Sequence, residues 1–168
     1  MALMKLTDLY LAQLERETPG TRKALERVPE GQNDWKPHPK SMPFGYLAAL
    51  VAQMPAWIEM MIDRDELDLA SGQGAQPALA THRELLEVHE QALAKARKAL
   101  TSTTDEHLMT HWRLLVSGKV VDEKPRYMMI TDTFSHLAHH RGQLTVYLRL
   151  LGAAVPSIYG PSADEPGF

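Results

Sequence analysis

The sequence predicts an all-α fold: a four-helix bundle with a small hairpin or irregular insertion before the last helix. Apolar residues recur at helical spacing in four long segments, and period-two runs of β-branched residues are nearly missing. A length of 168 residues with 44% hydrophobic content suits a single domain, 1–168, around one core.

The first segment runs from about Thr7 to Val28 with Leu11, Leu14, Leu25 and Val28 inward, and Pro19-Gly20 is expected to kink or split it. "PEGQNDWKPHPK" reads as a loop. Ser41 is placed to cap the second helix, whose inward face carries Phe44, Leu47, Val51, Met54, Ile58 and Met61 and which Pro55 should bend midway. After a Gly/Ala/Pro linker, "ASGQGAQPALA", Thr81 and Glu84 have the spacing of a capping box, opening a third helix that extends to about Leu100. "HWRLLVSGKVVDEKP" holds the one plausible hairpin, around Ser117-Gly118-Lys119. The last helix starts near Arg126 and ends before Gly152, a natural C′ residue. An extended tail follows.

Net charge is −3 with no long run of like charge, so the basic footprint of a nucleic-acid binder is missing. Cysteine is absent, which leaves His, Asp and Glu as the side chains able to hold a metal. The N-terminus turns charged before a secretory h-region could form, and no apolar run approaches the ~18 residues of a membrane span. A soluble cytoplasmic protein, with neither nucleic acid nor membrane as partner, is expected.

"TFSHLAHHRGQLTVYLRLLG" places three histidines within five residues of the last helix. Its inward arc is defined by Met129, Thr133, Leu137, Leu144, Tyr147, Leu148 and Leu151, and His136 and His140 fall inside it, four residues apart on one face. That spacing lets two imidazoles meet one first-row metal; two hydrogen-bonded core histidines are the alternative. His139 lies at the edge, beside an outward-pointing Arg141. Arg141 and Gln143 would orient a ligand or join contacts between chains. The methionines, several on the second helix, read as core filler. His107 and His111 read as a surface pair, and His38 and His82 suggest no chemistry.

"KSMPFGYLAALVAQMPAW", "HLAHHRGQLTVYLRLLG", "ERVPEGQNDWKPHPK" and "VPSIYGPSADE" resemble the DinB/YfiT-like family of bacterial four-helix proteins. The resemblance implies a homodimer and a three-histidine site for a divalent metal such as nickel or zinc, with one ligand from the second helix and an H-x-x-x-H pair from the last. The pair corresponds to His136 and His140. The second-helix position is Leu50, so the site lacks one ligand, and metal binding should be weak or absent. His89, inside the inward arc of the third helix, is a possible substitute; a core histidine donating to a neighbouring carbonyl is the plainer alternative. The resemblance implies a metal-dependent hydrolase or a relative of thiol S-transferases with a degenerate two-histidine site. The competing expectation is a non-catalytic, metal-free dimeric bundle that binds a small molecule or serves structurally.

Overall fold

The computed structural model describes residues 4–72 and 81–166. In chain order these form α1 (Leu6–Glu26), α2 (Phe44–Gln53), α3 (Ala56–Asp63), β1 (Glu66–Asp68), α4 (His82–Ser102), α5 (Asp105–Leu108), β2 (His111–Val116), β3 (Lys119–Pro125) and α6 (Arg126–Leu150). The all-α expectation is therefore corrected. The described residues hold six α-helices, one 3-10 turn at Leu69–Ser71, and a three-stranded mixed sheet in the order β1-β2-β3.

The hairpin forms where its turn chemistry demands it. Ser117 and Gly118 both adopt positive φ, 52° and 76°, the two-residue loop that matches strand twist. β1 had no comparable signal, being three residues of which only Leu67 is buried. Its order comes from a partner far along the chain: it pairs in parallel with β2, Glu66 meets Arg113 at 2.7 Å, and the Asp68 carboxylate accepts from the amides of Ser117 and Gly118.

Two expected interruptions behave differently. Pro55 separates α2 from α3 with a 53° bend. Pro19, in contrast, sits inside an unbroken α1, correcting the expected split. Side chains add donors to helix carbonyls on either side of Glu15, whose carbonyl loses its amide partner at Pro19: Thr18 donates to Leu14 O, while Thr21 and Arg141 both donate to Glu17 O. Gly20 is required for a different reason, since a Cβ there would lie 2.9 Å from Ile158 Cγ2 where the tail crosses. The capping box of Thr81 and Glu84 is present, but Ser41 is not a cap: Pro43 precedes α2, whose first amides donate to the loop carbonyls of Trp35 and Asn33. Most of the Gly/Ala/Pro linker lies outside the described residues.

Buried apolar side chains form two clusters, one at the sheet end around Leu14, Ile58, Leu93, Trp112 and Phe134, the other around Leu25, Phe44, Leu50, Leu137 and Leu144. The last helix contributes to both and packs against α1, α2 and α3, so it is buried on more than one side. This is why Arg141, expected to point outward, is buried instead. Its guanidinium donates to the Glu17 carboxylate at 2.6 Å, to Thr21 Oγ1 at 2.8 Å and to the Tyr159 hydroxyl, which itself donates to Glu17 at 2.6 Å. One network thus ties α1, α6 and the tail. Arg126 does the same at the sheet end, donating to the carbonyls of Met61, Arg64 and His111.

Glu17→Ala should cost about 3–5 kcal/mol in urea unfolding, because it strands a buried guanidinium. Tyr159→Phe, which removes one hydroxyl and its two hydrogen bonds but leaves the Arg141–Glu17 pair intact, should cost only about 1 kcal/mol.

Candidate functional site

His140 and His136 project from adjacent turns of α6 at the seam between the two core clusters. His140 is 5% exposed. His136 lies on the same side but at the rim, exposed along one edge, because the bundle opens there onto a cavity. Their Nε2 atoms are 2.8 Å apart, a hydrogen-bond distance. Two nitrogens bound tetrahedrally to one zinc would stand roughly 3.3 Å apart, so the rings would have to separate to share a metal.

The polarity of this contact follows from its far end. His140 Nδ1 lies 2.7 Å from Gln143 Oε1, an atom that only accepts, so Nδ1 carries the proton of His140. Nε2 of His140 is then the acceptor and Nε2 of His136 the donor, leaving His136 Nδ1 with a free lone pair. Gln143 thereby sets both tautomers. Burial holds both imidazoles below the ordinary histidine pKa; neighbouring rings add to the effect, while the Gln143 contact opposes it at His140. His139 is exposed at the edge, its ring centroid 5.1 Å from that of His140.

The cavity beside His136 has a volume of about 360 Å³. Its walls are Trp57, Met60, Met61 and Met129 from the helices and Leu67 and Trp112 from the sheet. Three of the methionines are thus cavity wall and not merely core filler. Trp57 also packs on the His136 ring, 5.5 Å between centroids. Polar lining comes from Thr133, His136, Asp122 and Asp132, and the two aspartates are bridged by Lys124 at 2.9 and 3.0 Å. The Trp57–Trp112 frame escaped sequence reasoning, since its two sides meet only when the sheet docks. The alternation that buries Trp112 in β2 was the one available signal.

Leu50 is buried in the same apolar cluster as Leu137 and Leu144, the residues that flank His140 on its face of α6. The position expected from the sequence resemblance to hold a third ligand thus carries an isobutyl group in apolar surroundings. His89 does not replace it. It is fully buried, and Nδ1 lies 3.2 Å from the carbonyl of Ala52, close to the break that Pro55 makes between α2 and α3. Its Nε2 has no partner. Among the described residues no three His, Asp or Glu side chains converge to hold a metal ion. The donor set does not fit a three-histidine centre. Elsewhere, His107 Nε2 contacts the Ile62 carbonyl and His111 pairs with Glu123.

The DinB family profile matches residues 4–167. The chain belongs to the DinB family. It is 23% identical to the uncharacterized protein YrdA of Bacillus subtilis (strain 168), across 97% of this chain and 93% of that one. Among solved structures, a DinB-like protein from Bacillus subtilis superposes with a TM-score of 0.66 at 17% identity, covering 88% of this chain and 95% of that one. A DinB-family member from Exiguobacterium sibiricum gives 0.64 at 18% identity, covering 97% and 99%. A histidine-to-alanine mutant of the mycothiol-dependent maleylpyruvate isomerase gives 0.52 at 12% identity, covering 93% of this chain and 68% of that one. These likenesses establish the DinB-like fold. No single described helix of this DinB-family chain is long and apolar enough to cross a membrane.

Burial also depresses the pKa of His89. A depressed histidine contributes stability above its unfolded value near 6.5, and that stability is lost as pH falls towards the folded value. Unfolding free energy should therefore decline from pH 7 to pH 5. His89→Asn, which keeps an N–H near the Nδ1 position, should reduce that slope by up to roughly 1.4 kcal/mol per pH unit in denaturation at stepped pH.

Proposed function

We propose that this DinB-family protein binds a small, largely apolar molecule in the cavity beside His136, and that the Gln143–His140–His136 relay presents a neutral proton acceptor to it. The observation that carries the reading is the relay itself, opening on a walled cavity. Each member orients the next, so that Nδ1 of His136 is left as an acceptor without a partner. Cavity size and apolar lining are those of a small-molecule site. Burial keeps the acceptor unprotonated at neutral pH. The relay can hold a ligand's hydroxyl or amine proton, or take it as a general base.

The second reading, a metal-dependent hydrolase or thiol S-transferase relative, draws on the two convergent Nε2 atoms one helical turn apart. The apolar Leu50, and the lack of three convergent His, Asp or Glu side chains among the described residues, count against it. The melting temperature decides between them. Wild-type protein should melt at the same temperature with or without nickel or zinc, since a metal that scarcely binds the folded state does not stabilise it. Leu50→His without metal should lose roughly 1–3 kcal/mol from burying an unpaired polar group. With metal at ~100 times its dissociation constant it should recover about 2.7 kcal/mol. Adding His140→Ala should abolish the recovery. A large metal-dependent shift in wild type would overturn the metal-free reading.

A further inference from the structure

We infer that the cavity selects against anions and takes a compact amphiphile: a flat apolar body, bicyclic in size, bearing an amine or ammonium at the rim. The inference rests on the small-molecule reading above and adds the ligand's charge and shape.

The charge argument begins with the lining. No lysine or arginine stands among the described residues that line the cavity, whereas two carboxylates do, Asp122 from β3 and Asp132 from α6. Lys124 bridges both carboxylates from outside the lining, which leaves the rim one negative charge in excess. No lysine or arginine in the lining offsets the cost of desolvating a carboxylate or phosphate. A ligand cation meets the opposite situation. Asp132 precedes His136 by one helical turn on the same side of α6, so a carboxylate and an imidazole acceptor stand next to each other at the opening. An ammonium carries three donors and no acceptor, and this rim offers acceptors.

The shape argument comes from the walls. Trp57 from a helix and Trp112 from the sheet both line the cavity, together with three methionines. Planar faces and polarizable thioethers suit a flat apolar body, and indole faces also attract a cation placed over them. A volume of about 360 Å³ holds a ligand on the order of a dozen to fifteen heavy atoms at ordinary packing.

Three probes share a naphthalene body and differ in charge: naphthylethylamine, naphthaleneethanol and naphthylacetate. Titration of the full-length protein would be followed by the indole N–H resonances in a nitrogen–proton correlation spectrum, with affinities from calorimetry. The amine should bind about tenfold tighter than the alcohol at low salt, with the acid weakest, and the resonances of Trp57 and Trp112 should move while that of Trp35 stays. Asp132→Asn should erase most of the amine's advantage over the alcohol; high salt should also reduce that advantage. If all three probes leave Trp57 and Trp112 unmoved, the small-molecule reading itself fails. If the probes move those resonances but the acid binds as tightly as the amine, or the amine's preference survives Asp132→Asn, the site stands and the charge inference is overturned.

Discussion

The Arg141–Glu17 pair determines the rotation of α6, and the candidate site depends on that rotation. Both partners are buried, and the guanidinium is bound by a carboxylate, a carbonyl and two hydroxyls, so nearly every donor has an assigned acceptor. Such a pair is poorly tolerant of slippage, because losing one partner leaves the other charged and dry. Arg141 follows His140 directly. With Arg141 held on α1, the ~100° step of the helix turns His140 away from α1, towards the seam where the two clusters and the cavity meet.

The same constraint explains how one helix carries both structural and functional polar groups. Burial on more than one side leaves α6 little freedom, and its buried polar residues divide by partner. Arg126 and Arg141 are satisfied by protein at each end. His140 and His136 contact each other and His140 contacts Gln143, and His136 lines the cavity. The sheet completes the enclosure: β2 supplies Trp112, and Asp122 on β3 meets Asp132 of α6 through Lys124.

The surroundings of Leu50 and His89 follow from packing. Leu50 adds an apolar side chain to a dry layer with Leu137 and Leu144, which suits a core without an ion better than a third imidazole would. His89 is held by a carbonyl close to the α2–α3 break. Its Nδ1 contact joins α4 to α2, and among the described residues it forms no three-residue cluster with His136 and His140.

The sequence by itself determined the three long helices α1, α4 and α6, the hairpin with its Ser117-Gly118 turn, the capping box, the placement of His136 and His140 on one side of the last helix, and the family. Each of these is local, or is a pattern of residues read along one element. Tertiary structure alone decided what depends on a distant partner. β1 exists because β2 pairs with it, and α1 passes unbroken through Pro19 while packed against α4 and α6. Arg141 turned inward because a single-face reading of a helix fails when neighbours cover more than one side. The cavity was illegible for the same reason: Trp57 and Trp112 are 55 positions apart in the chain, and only the docked sheet brings them to one wall.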